Sequence, residues 1–256
     1  MSDTAEQGFR LAEPVLVCRW RLAGRHVPLL NRHMRALSQR SVAGKPLTTN
    51  MLGWVKQHIE WSLAEDVTVA ADGVLMLVVD VEGQAAMSSG AYEPLADTSA
   101  GALAARAREA RGEAAETGVA PEVLCAMCAG TLTIGAPAGE HLCGAMTFVR
   151  QLAETKGLAV AYEPDLGRVA SGCAGVPFLV SDEHGVVVVG SLPSASRAVS
   201  DACGAQEGVL AAEVSSCRPV DADASEDMGP HGDASSDTAY IAFFGDAFET
   251  LRDRAR

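Results

Sequence analysis

The chain alternates short runs of Val, Leu and Cys with longer segments whose apolar residues recur at helical spacing. Residues 15–22 (VLVCRWRL) read as a strand, and Gly24 turns the chain into a second short strand over 26–30. Asn31 is a fitting N-cap for a helix over 32–40, which Gly44 and Pro46 stop. A second helix spans about 50–64, with Leu52, Val55, Ile59 and Leu63 on one face and Trp54 and Trp61 flanking that stripe as core or interface. The continuous apolar run 74–81 predicts a buried strand, with 84–87 pairing back after Gly83. Residues 88–98 read as a connection.

The second half repeats the alternation with different proportions. Residues 100–115, rich in Ala, Arg and Glu, are helical by propensity. Residues 123–127 and 131–134 form a hairpin about Ala129-Gly130. A helix over 147–156 ends at Gly157 and leads to a strand at 158–162. Residues 178–181 and 186–189 pair around Glu183-His184-Gly185. The Asp/Ser/Gly-rich stretch 217–237 predicts disorder, and 239–251 a short amphipathic helix that docks at the end. No internal repeat is visible.

Composition narrows the function classes. With 256 residues and 48% hydrophobic content, the chain can bury the core of one large domain or two small ones. No apolar run approaches the roughly 20 residues of a membrane span, and the polar, mixed-charge start is not a signal peptide. The seven cysteines are odd in number and irregularly spaced, which predicts buried thiols in a reducing cytoplasm. A net charge of −13 argues against nucleic acid and anionic membranes as partners. Arg106, Arg108 and Arg111 interleave with Glu109, Glu113 and Glu116, so this run reads as a solvated helix face. Cys125-Ala-Met-Cys128 has no second ligand pair, and its cysteines point to opposite faces of a strand, so no metal site is expected. Glu140-His141 and Asp182-Glu183-His184 read as solvated turn residues.

Candidate chemistry concentrates in residues 139–166, GEHLCGAMTFVRQLAETKGLAVAYEPDL. The turn around Gly144 opens a helix, and the free amides of its first turn, with the helix dipole, suit a phosphate. A plain loop–helix–strand connection fits the same residues. The chain's lysines are Lys45, Lys56 and Lys156: the first in a Gly-Lys-Pro turn, the second off its helix's apolar stripe, the third at a helix end.

The order of elements resembles the class IV aminotransferases, the pyridoxal-phosphate enzymes of the D-amino-acid, branched-chain and aminodeoxychorismate lyase group. Three segments carry the resemblance. Residues 15–38 resemble the family's opening hairpin and His-containing helix, 142–166 its phosphate cup, helix and strand, and 178–189 its late substrate-side strand and turn, where His184 would approach substrate. The resemblance implies an α+β, two-domain fold: a small N-terminal α/β domain over 1–95 and a larger β-rich domain over 96–256, with a ligand cleft between them in a homodimer. It places the phosphate amides on Cys143, Gly144, Ala145 and Met146, with Met146 where the family has threonine. The family's phosphate-pairing arginine falls on Ala36; Arg35, one position away, is turned by about 100° and is either a displaced partner or a surface arginine. Glu116 matches the glutamate that bonds the pyridine nitrogen, yet it also continues a solvated helix face. Asp97 stands where the Schiff-base lysine belongs, and aldimine chemistry needs an amine. The cofactor-binding candidates are therefore Arg35, Glu116, Gly144, Ala145 and Met146, with pyridoxal phosphate itself expected to be lost. The implied function is a non-catalytic relative holding a small anion or a partner in the cleft; the alternative is an active pyridoxal-phosphate aminotransferase or lyase.

Overall fold

The computed structural model describes residues 10–65, 71–172, 174–190 and 234–255. Its first half is a three-stranded antiparallel sheet in the order β1-β4-β5, from β1 (Pro14–Leu22), β4 (Gly73–Asp80) and β5 (Ala85–Gly90). Between β1 and β4 lie α1 (Leu30–Leu37), a two-residue-strand hairpin β2 (Ser41–Val42) and β3 (Lys45–Pro46), and α2 (Thr49–Glu65). Along β1 every second side chain is buried: Leu16, Cys18, Trp20 and Leu22 pack with Leu37 of α1, Val55 and Ile59 of α2, and Leu77 and Val79 of β4. The helical stripe of α2 thus faces the core as its spacing predicts. Trp54 and Trp61 remain 41% and 58% exposed, so they are not core of this chain; Trp54 stacks on His58. The carboxylate of Asp80 accepts N–H bonds from Ala12, Glu82 and Gln84 and so fixes the β4–β5 turn.

The second half is built on a five-stranded sheet, ordered β10-β9-β6-β7-β8. Its strands are β6 (Glu122–Cys128), β7 (Thr131–Ile134), β8 (Ala159–Tyr162), β9 (Val176–Ser181) and β10 (Gly185–Val188), and only the β7–β8 pair is parallel. Helices cover both faces: α3 (Ala100–Thr117) and α5 (Leu166–Ala170) on one, α4 (Gly144–Thr155) and α6 (Ala234–Ala255) on the other. The strands sort their side chains by the pleat. Cys125, Met127, Phe178 and Val180 face Met146, Val149 and Phe244, while Leu124, Ala126 and Leu179 face Leu103, Ala107 and Val169. This two-sided burial explains why β6 and β9 read as continuous apolar runs.

Several elements depart from expectation. Residues 26–30 do not form a strand beyond a single bridge between Ala23 and His26; α1 starts at Leu30, entered through Leu29 at φ 63°, so Asn31 lies inside the helix rather than capping it. That helix ends at Leu37, before Arg40. The helix α4 begins at Gly144, three residues earlier than its apolar spacing suggests, and α5 is an added turn that Asp165 caps through the N–H groups of Gly167 and Arg168. Residues 217–233 of the stretch expected to be disordered lie outside the described residues; residues 234–237 are helical, because α6 runs from Ala234 and its Asp237 is buried. Among the described residues no helix is long and apolar enough to cross a membrane.

Candidate functional site at the junction of the two sheets

The two sheets meet where α1 packs against the start of α4, and the contact is made by small residues. Gly144 is buried against α1: a Cβ there would collide with the His33 ring and stand 2.9 Å from its backbone nitrogen. Cys143, Ala145 and Met146 are buried as well, and Met146 lies on the Cys125 thiol at 3.4 Å. Gly144, Ala145 and Met146 are therefore the buried first turn of α4. That turn already has an anion. The N–H of Ala145 donates to Oδ1 of Asp182 at 2.8 Å, and Nδ1 of His33 stands 3.4 Å from the same oxygen. His33 is in turn stacked on Trp20, ring centroids 5.4 Å apart. Burial works against the Asp182 charge, but His33, the Ala145 amide and Arg40 outweigh it and hold the carboxyl below its ordinary range. Expected to be a solvated turn residue, Asp182 is instead buried, because it follows directly on β9 and points into the sheet junction.

Beside it lies Arg40, 4% exposed, which donates to Glu113 of α3 at 2.8 Å and so ties the end of α1's segment to the second half. Burial pushes the nearby Cys18 thiol up to about 11, an inert thiol rather than a nucleophile.

A second polar layer sits outside this one. Glu122, the first residue of β6, receives two bonds from Arg106, at 2.9 and 2.7 Å, and one from Ser181 Oγ at 2.9 Å. The Ser181 hydroxyl also accepts the N–H groups of Glu183 and His184, which shapes the β9–β10 turn. From the first sheet, Arg19 reaches over to grip both oxygens of Glu183 at 2.7 and 3.2 Å. His184 is buried between these pairs, with Nε2 at 3.4 Å from Arg106 and Nδ1 at 3.3 Å from the Tyr92 hydroxyl. Burial lowers its pKa below 6.5 against the pull of Glu183 and Glu122, so the native state favours the neutral ring. Between the layers is a cleft of about 260 Å³, lined by Val17, Arg19, Arg106, Glu109, Glu113 and Glu122 among others.

The remaining candidates lie elsewhere. Arg35 is exposed on α1, and Ala36 is its buried neighbour. Glu116 is exposed on α3, where its carbonyl accepts the Ser41 hydroxyl, whereas Glu113, one turn earlier, reaches the junction. Asp97 is exposed and accepts the Ser99 N–H in a local turn. None of the lysines lines the cleft: Lys45 is exposed, Lys56 pairs with Glu60, and Lys156 lies over the Phe243 ring. The arginines of α3 are not all solvated. Arg106 holds Glu122, and Arg111 donates to the carbonyls of Gly135 and Pro164. Sequence reasoning missed Asp182, Arg40, Glu122 and Arg19. The available signal was charge inside apolar runs: Arg19 in VLVCRWRL and Glu122 opening EVLCAMC.

No family model and no curated protein matches this chain. Among solved structures it is similar to a hypothetical aminotransferase from Mycobacterium tuberculosis in its PLP-bound form, at 13% identity over 73% of this chain and 87% of that one, with a TM-score of 0.49. It is similar to the 4-amino-4-deoxychorismate lyase from Pseudomonas aeruginosa at 14% identity, 71% and 87% coverage and a TM-score of 0.46. It is also similar to the fold IV-transaminase CpuTA1 from Curtobacterium pusillum at 12% identity, 73% and 82% coverage and a TM-score of 0.44.

Proposed function

We propose that this chain is a non-catalytic protein on a class IV aminotransferase-like frame, which binds a small anion or a partner in the cleft between its sheets. One observation carries the reading: the amide of Ala145, where the cofactor phosphate would be held, is bonded to the chain's own Asp182 carboxylate. The residues present do not fit pyridoxal phosphate. A second anion beside Asp182 would meet a buried like charge, Ala36 and Met146 offer no polar group to a phosphate, and no lysine amine borders the cleft. The homodimer implied by the sequence resemblance belongs to the same proposal, and sedimentation velocity across a concentration series checks it.

The test of the main reading is direct. Purified protein is mixed with pyridoxal phosphate, its visible absorbance is recorded, and borohydride reduction is followed by peptide mapping. The expected result is no aldimine band and no stoichiometric label. A single lysine labelled in full would overturn the reading in favour of an active pyridoxal-phosphate enzyme.

A further inference from the structure

The outward face of α2 takes no part in the cleft, and its composition is not that of a solvated surface. Val55, Ile59 and Leu63 carry one side of the helix into the core. The opposite side presents Asn50, Trp54, Gln57, His58 and Trp61, all exposed, and none of them is an acid, a lysine or an arginine. Trp54 stacks on His58 with ring centroids 4.9 Å apart, and Trp61 stands one turn further on, more exposed still. Exposed indoles in a charge-poor strip match the core of an interface, where aromatic residues are enriched and charged ones depleted. Gly53, next to Trp54, is a poor helix former inside an exposed helix, and a Cβ there would meet nothing within 4 Å. It leaves a hollow at one end of the strip. We propose that this face binds a second copy of the chain, α2 packing antiparallel on α2 about a two-fold axis that passes between Gln57 and His58.

Spacing and charge select this occupant. An antiparallel pair about that axis sets Trp54 level with Trp61 of the second copy, so each indole meets an indole, and the hollow at Gly53 receives the edge of the incoming ring. Lys56 and Glu60 pair within the helix at 3.9 Å and stand together on one flank of the strip. Antiparallel pairing sets that flank against the same flank of the other copy, with Lys56 within one residue of the level of Glu60. Two Lys–Glu pairs then close across the axis, at the helix separation of about 8–10 Å that packed helices adopt. The flank is complementary to itself, as a two-fold contact between identical surfaces demands. A flank of one sign would meet its own charge there.

The proposal rests on the homodimer of the reading above and makes no use of the cleft. Full-length protein is followed by sedimentation velocity across a concentration series, with circular dichroism as the check on folding. Wild type is expected to sediment as a dimer, and the Trp54→Ser, Trp61→Ser double variant to raise the dimer Kd at least tenfold with its helix content unchanged. Lys56→Glu, which sets like charges across the axis, is expected to weaken the dimer about threefold, and Glu60→Lys added to it to restore the wild-type Kd. A wild-type dimer that the tryptophan variant leaves equally tight would remove this face from the interface and keep the homodimer. A charge swap no tighter than Lys56→Glu alone would overturn the antiparallel pairing. A wild-type monomer would assign the face to a different partner and sink both the homodimer and this contact, while the borohydride test of the non-catalytic reading stands apart from all three results.

Discussion

At the scale of single residues, the chemistry turns on Asp182. A buried carboxylate persists only where it has partners, and Oδ1 of this one accepts the Ala145 N–H, with Nδ1 of His33 3.4 Å away. Asp182→Asn keeps the shape but gives up the charge, and should lower the urea-unfolding free energy by about 3 kcal/mol, the scale of a broken buried pair. The pH dependence has a definite sign. Native Asp182 sits below its ordinary 3.8 and native His184 below 6.5. In both cases the unfolded chain takes up a proton first as pH falls. Stability should therefore be full above pH 6.5, decline as His184 titrates, and decline again below 3.8 as Asp182 is protonated. Thermal melts of wild type and His184→Gln across that range check it: the variant should lose the upper step and keep the lower one. Gly144 is legible as a turn residue in the sequence, but its reason is tertiary. Gly144→Ala would press a methyl into His33 and cost roughly 1–3 kcal/mol.

Among elements, those with a strong internal period were legible and those fixed by a distant partner were not. The stripe of α2, the apolar runs of β4, β6 and β9, and the Ala129-Gly130 hairpin lie where spacing and turn chemistry put them. The turn needs left-handed backbone at both positions, φ 46° at Ala129 and 73° at Gly130. It is completed from far along the chain: Asp237 of α6 accepts the N–H groups of Ala129 and Gly130 at 3.0 and 3.3 Å. Local propensity cannot register such a bond, and so the start of α6 reads as part of a disordered stretch. Asp237→Ala should loosen α6 from the sheet and cost about 1–3 kcal/mol, with faster hydrogen exchange at Ala129 and Gly130 as its signature.

For the whole molecule, the sequence carried the order of the segments but not the pairings that join them. Arg19 and Glu183 are 164 positions apart, and Arg40 and Glu113 are 73. Nothing in periodicity or spacing couples them: Glu113 stands in a run of alternating charges and Glu183 between Asp182 and His184, and neither run marks which arginine it meets. These pairs, with the α1–α4 contact, hold one half of the protein to the other. Glu113→Gln would leave Arg40 buried with a weaker partner, costing about 1.5–3 kcal/mol for a charged hydrogen bond. The check is a double-mutant cycle with Arg40→Leu, in which the double variant should be less destabilised than the two single losses combined.

The Asp182 contact also changes how this protein would depend on its surroundings. A cofactor that binds only the folded chain stabilises it by mass action, and the effect fades as the cofactor is diluted. A carboxylate carried on the chain at the Ala145 amide is present at fixed effective concentration, whatever the supply. The fold then gains the internal contact without depending on a small molecule for it, and its melting temperature should not move with added pyridoxal phosphate. A lysine introduced into the cleft would leave this contact in place, and the tethered carboxylate would still compete with any phosphate that approached the Ala145 amide.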